Sequence, residues 1–388
     1  MEASYKINVL RFIVILSFLR SFSFGSIWSF LILFLVLIFN LSLSFAGLFV
    51  FISGIVGALS QILAGAVSDS FGRKRMVILG LAGQGLSFIF IGIFVVLKSI
   101  YSILLGMILI NFFSGFYFSS INAIVADIMD KNERFGGYAL LRAAANFGWG
   151  IGPAIGGFIF YTKYFNISFF AIGALLSLLS LYMIKFPETA KVTSRFRFND
   201  MMKALKNLKF LLYCVAAFIS FLIFGQFNST FAVYESEVNG ISSFYIGLAW
   251  TLNGFLVGFT QYFFAKLANT SNQMKFLIYG IIIYGFGYFS TIFSSSIWWM
   301  FVSVTIITLG ELIFSSTANA VAMNMANEED IGKYSGTYNF FTFIGRAFGP
   351  LYGGLIFSLY LPYNNMWGII FLTALFASFL FLLIDKFF

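Results

Sequence analysis

Histidine is absent from this chain of 388 residues, cysteine occurs once and proline four times. Without histidine, no side chain has an unperturbed pKa near neutrality, so a proton-linked step must run through carboxylates. A single thiol, Cys214, excludes an intrachain disulfide framework and a cysteine cluster for metal. A phosphate-binding glycine loop and a pair of buried carboxylates are missing as well, so neither enzyme chemistry nor a cofactor is expected. Charge is scarce too: 10% of residues are charged and 60% hydrophobic. Soluble domains carry about 25% and about 45–50% respectively. A water-facing surface cannot be built from so little charge, and the composition implies a membrane protein.

What is present is long apolar runs, with 56 Phe and 19 Tyr suited to lipid-facing and interfacial positions. Roughly 20 apolar residues cross about 30 Å of hydrocarbon as a helix. Twelve such stretches are predicted, near 9–38, 43–66, 76–97, 100–126, 135–160, 165–186, 209–237, 242–265, 275–293, 297–325, 334–359 and 364–386. Runs of this length lack the short alternation of a barrel strand. The first is too long for a cleavable signal and carries Arg20 at its middle. With both termini on the cytoplasmic side, only Lys98 and Lys163 fall on outer loops, and Arg20, Arg142 and Arg346 lie within helices. The rest of the 23 Lys and Arg fall on inner segments, as positive-inside topology requires. The net charge of +9 therefore suits an anionic inner leaflet and implies no nucleic acid.

The chain repeats itself. GWGIGPAIGGFIF at 148–160 matches GRAFGPLYGGLIF at 345–357, an offset of 197 that superimposes Pro153 on Pro350 and Asn122 on Asn319. Gly54, Gly57 and Gln61 match Gly254, Gly258 and Gln261 at offsets of 200 or 201. The expected organisation is an all-α membrane protein of two pseudo-symmetric six-helix bundles, 1–186 and 209–388. They are joined by a polar linker, 187–208, whose second part is suited to a short amphipathic helix on the inner surface.

The most specific string is GAVSDSFGRKR at 65–75, between the second and third spans. Gly72 permits a turn with positive φ, Gly65 close helix approach, and Asp69 a favourable contact with a helix N-terminus. Gly65, Asp69, Gly72, Arg73, Lys74 and Arg75 resemble the loop motif of the major facilitator superfamily, with Ser70 where that family usually has a basic residue. The resemblance implies that Asp69 latches the halves together at the eleventh helix and that Asp127 pairs with Arg73. In the second half Asn269 and Asn324 stand opposite Asp69 and Asp127, so both acids are neutralised together. The fifth span, with Gly148, Gly152, Pro153, Gly156 and Gly157, resembles the glycine-proline motif of that family's exporters. The same glycines recur in the eleventh span, so helix packing is part of their use.

Ionisable groups at mid-membrane are costly and point to function. They are Arg20, Arg142, Glu311 and Arg346 in the first, fifth, tenth and eleventh spans. The resemblance implies that Arg20 and Glu311 face substrate or its coupled ion, with Arg142 and Arg346 at the wall between halves. Glu311 is the one carboxylate near mid-depth, its repeat partner being Ser114; Glu235 and Glu237 fall near the outer end of the seventh span. A carboxylate there serves either as a proton switch or as a static partner of an arginine. Asn111, Asn122, Gln226, Asn228, Asn253 and Asn319 supply amides for ligand or for helix-to-helix bonds. The resemblance as a whole implies a proton-coupled, monomeric efflux transporter for a small molecule in the cytoplasmic membrane, closest to the drug:proton antiporters, working by alternating access. Three buried arginines against one glutamate also suit a second reading, an uptake symporter for an organic anion or sugar. A third is a membrane receptor without turnover.

Overall fold

The computed structural model describes residues 2–129, 134–186, 188–189, 205–270, 272–293, 296–327, 330–359 and 363–387. Most of the linker, including Lys191, Arg195, Arg197 and Lys203, lies outside the described residues, as does Lys131. No strand occurs among the described residues, and thirteen α-helices do. They are α1 Glu2–Phe39, α2 Leu43–Phe71, α3 Arg73–Val96, α4 Ile100–Ile128, α5 Arg134–Tyr161, α6 Phe165–Met183 and α7 Leu208–Phe224. Then follow α8 Thr230–Glu237, α9 Ser243–Thr270, α10 Gln273–Ser290, α11 Ile297–Asn324, α12 Ile331–Phe357 and α13 Tyr363–Phe387. Nine are long and apolar enough to cross a membrane. The count exceeds the twelve predicted spans by one because the seventh is broken into α7 and α8.

Helix ends fall where local chemistry stops the ladder. Asn207, Asn272 and Ser296 accept hydrogen bonds from Phe210 N, Lys275 N and Trp299 N, capping α7, α10 and α11. Asn40, Lys98, Lys163 and Gly240 take positive φ after α1, α3, α5 and α8, the left-handed residue that closes a helix.

Two compact units are present. The first comprises Met1–Phe30 and Ile52–Phe196, the second Leu31–Phe51 and Arg197–Phe388. In the first, α3 packs on α4 and α6; in the second, α10 packs on α11 and α13 in the same way. The start of α2 belongs to the second unit, where Ser44 Oγ donates to Gly354 O at 2.8 Å. Between helices in lipid, close van der Waals approach replaces the hydrophobic drive, and small residues permit it. The repeat extends to such contacts. A Cβ on Gly80 would come within 2.7 Å of Tyr117 N, and one on Gly280 within 2.6 Å of Phe314 N.

Candidate functional site

Glu311 sits on α11, half-buried in the second unit. Asn253 on α9 donates its Nδ2 to Glu311 Oε2 at 2.9 Å and to Thr308 Oγ1 at 3.0 Å. The Tyr284 and Tyr288 hydroxyls of α10, 3.4 Å apart, and Arg346 of α12 lie within electrostatic range of the carboxylate. Glu311 forms no ion pair among the described residues. The Arg346 guanidinium lies over Phe224 at 4.2 Å and Phe221 at 5.3 Å instead. The static pair weighed from the sequence is therefore not made; the cation acts on Glu311 from beyond contact distance. Such a carboxylate can take up or lose a proton without breaking a salt bridge.

Arg20 is engaged inside the first unit. Its Nε donates to Gln84 Oε1 at 3.0 Å and its Nη2 to Ser114 Oγ at 2.8 Å. Phe24, Tyr117 and Phe118 place their rings 4.3 Å from the guanidinium. Three ring quadrupoles and two neutral acceptors replace the water that a guanidinium loses on burial. At 3% exposure, Arg20 ties α1 to α3 and α4. Arg142 on α5 is exposed.

The amides divide. Asn111 and Asn122 donate to the carbonyls of Met107 and Phe118 in their own helix. Gln226, expected on the substrate pathway, is fully buried and occupied: Nε2 donates to Leu222 O at 2.7 Å and Gly349 O at 2.8 Å, and Oε1 accepts from Thr230 Oγ1 at 2.7 Å. Asn228 and Asn319 have no side-chain hydrogen-bond partner among the described residues.

At the loop end of the first unit, Arg73 Nε lies 2.8 Å from Asp127 Oδ2, both side chains 5% exposed. The equivalent place in the second unit holds a neutral pair, Asn324 Nδ2 donating to Gln273 Oε1 at 3.2 Å. Gly65 and Asp69 lie on α2, with side-chain surroundings outside the described ones. Arg75 is exposed. Sequence reasoning missed Glu188, whose Oε1 accepts from Lys74 N at 3.1 Å while Lys74 Nζ donates to Ile184 O at 2.7 Å. A carboxylate thus meets the start of α3 and an ammonium the end of α6, each opposite in sign to the helix terminus it touches. Gly72, at φ 96, leaves the space that the Glu188 carboxylate fills. The signal available was an acid just beyond the sixth span. It also missed the burial of Glu235, which is fully enclosed and accepts from Asn239 Nδ2 at 2.8 Å.

The glycines of α5 form a seam. A Cβ on Gly152 would meet Phe22 O at 2.7 Å, and one on Gly148 or Gly156 would fall on the carbonyls of Phe18 or Ser26, so α5 lies backbone to backbone on α1. Pro153 is inside the helix and Gly157 is buried beside it. On α12, a Cβ on Gly345 would come within 2.5 Å of Phe218 O of α7, and one on Gly349 within 2.7 Å of Leu222 O.

A duplicated set of apolar helices, seamed twice by glycine and proline and carrying a carboxylate without an ion pair among the described residues, is the build of a membrane transporter. The family model of the Major Facilitator Superfamily matches residues 13–350 and 238–387, and the chain belongs to that family. It is 28% identical over 324 residues to "Multidrug resistance protein 2" of Bacillus subtilis, covering 79% of each. It is 23% identical to a "Na(+), Li(+), K(+)/H(+) antiporter" of Planococcus maritimus, covering 86% of each. Among solved structures, the nucleoside transporter NupG matches with a TM-score of 0.83 over 98% of this chain and 100% of that one, at 14% identity.

Proposed function

We propose that the chain exports drug-like small molecules from the cytoplasm in exchange for protons, with Glu311 as the proton-carrying group. The observation that carries this reading is the environment of Glu311, hydrogen-bonded to a neutral amide and free of any ion pair among the described residues. Similarity to a multidrug resistance protein and to a proton antiporter supports export and proton coupling. The excess of buried arginine does not argue for an anionic substrate, because Arg20 is compensated by Gln84, Ser114 and three rings within its own unit.

Each bundle, 1–186 and 209–388, acts as one body in this reading, in a monomer with both termini cytoplasmic. Binding and release alternate between the two sides. The Arg73–Asp127 pair and the 65–75 loop hold the cytoplasmic end, Asp69 acting as the latch. The glycine seams keep each bundle rigid during the exchange.

The test uses purified protein in proteoliposomes with ethidium as substrate. Wild type is expected to move ethidium when a pH gradient is imposed. Glu311→Gln, which keeps the shape and mimics the protonated form, is expected to lose gradient-driven movement while still exchanging ethidium at equilibrium. Unchanged pH-driven flux in the mutant would overturn the assignment of Glu311.

A further inference from the structure

The seventh span is cut where its counterpart in the first half is not. Gly25 and Gly225 stand at the same place in the repeat, and each lies against a partner proline. A Cβ would come within 3.3 Å of Pro153 Cδ in one half and 3.2 Å of Pro350 Cδ in the other. Past this contact α1 continues unbroken to Phe39, whereas α7 stops at Phe224 and the helix resumes only at Thr230. Packing against proline therefore does not require the break.

The difference lies in the next residue. Ser26 Oγ donates to Phe22 O, four residues back. Gln226 makes the same bond to Leu222 O, then reaches on to Gly349 O and Thr230 Oγ1. Around it the backbone is re-satisfied. Gln226 O accepts from both Ser229 N and Phe231 N, Gly225 O from Ser229 Oγ, and Phe227 O from Trp250 Nε1. Broken helix in a membrane is tolerated where such groups are re-bonded or line a cavity.

Within 225–230 the polar side chains of Gln226, Ser229 and Thr230 are all engaged, and Asn228 is the exception. It is half-buried and has no side-chain partner among the described residues. An amide kept at membrane depth without a partner is costly unless something else bonds it. We propose that Asn228 is a substrate-contacting residue that sets specificity, and that Gln226 is the positioning residue holding the break that presents it. This inference rests on the export reading above. The ligand class follows from the chemistry of an amide, which donates through two N–H groups and accepts at its carbonyl oxygen. Favoured substrates carry an amino, hydroxyl or carbonyl group on an apolar body.

Two probes separate this role from a structural one in the same proteoliposomes. Ethidium carries aromatic amines; tetraphenylphosphonium is a lipophilic cation with no hydrogen-bonding group. Asn228→Ala is expected to raise KM for ethidium about tenfold, the loss of one hydrogen bond, with kcat unchanged and both constants for tetraphenylphosphonium unchanged. Gln226→Ser, which restores the residue of the first span, is expected to lower kcat for both. Equal effects of Asn228→Ala on the two probes, or none on either, would overturn the role of Asn228. Wild-type kinetics in Gln226→Ser would overturn the positioning role. A wild type that moves neither probe would overturn the export reading and this inference with it.

Discussion

The two halves carry one pair in two chemistries, and exchanging them separates charge from shape. Arg73 and Asp127 meet at 2.8 Å with 5% of each side chain exposed, whereas Gln273 and Asn324 form a neutral bond at 3.2 Å in the equivalent place. Removing one partner of a buried ion pair leaves the other charge unpaired, at a cost of about 3–5 kcal/mol. Asp127→Asn and Arg73→Gln are each expected to lose that much in unfolding free energy. The double substitution recreates the second-half pair, removes both charges of this ion pair together, and should lie within about 1.5 kcal/mol of wild type, the scale of one neutral hydrogen bond. Thermal unfolding of the three variants in detergent measures this, and ethidium flux on the same samples shows whether restored stability restores transport. A double variant as unstable as either single one would refute the reasoning, because the cost could not then come from an uncompensated charge. Restored stability with slow transport would assign the charge itself to the conformational cycle.

Further outcomes are as direct. Arg20→Lys keeps the charge but loses the planar contacts with three rings and one of two directed hydrogen bonds, so it should lower the melting temperature without changing KM for tetraphenylphosphonium; a raised KM with unchanged melting would return Arg20 to the substrate path. Gly156→Ala forces a methyl onto Ser26 O and is expected to cost about 1–3 kcal/mol. Gly258→Ala, with nothing within 4 Å, should instead stabilise by about 0.5–1 kcal/mol, a contrast read from melting curves of the two variants. Glu235→Gln should leave pH-driven ethidium flux intact, and its loss would move the proton site from Glu311 to the buried acid of α8.

Much of this was legible from residues alone. Helix existence followed from run length, and the duplication from Pro153 and Pro350 with their glycines, because a glycine-proline pattern is too rare to recur by chance in apolar sequence. The positions of Arg73 and Asp127 were legible as well. What stayed hidden was direction around each helix. An apolar stripe marks the buried face of a soluble helix, but α1 is apolar all round, so its sequence reports depth and not whether Arg20 points to a ligand or to α3 and α4. The break after Phe224 was hidden for a related reason: Gly225 and Gln226 read as ordinary members of a long run, and only the bonds of Gln226 to Leu222, Gly349 and Thr230 show the span divided. Glu188 was passed over, and the burial of Glu235 unforeseen, because both lie near span ends, where acids are usually solvated.

The glycine seams of α5 on α1 and α12 on α7 have a consequence for how such a protein diverges. The contacts run through carbonyls and Cα atoms, which every residue possesses. Side chains on these four helices that bond to no neighbouring helix can therefore be exchanged without loosening the seams. Selection can rewrite what the transporter recognises one residue at a time while its mechanical frame is inherited intact.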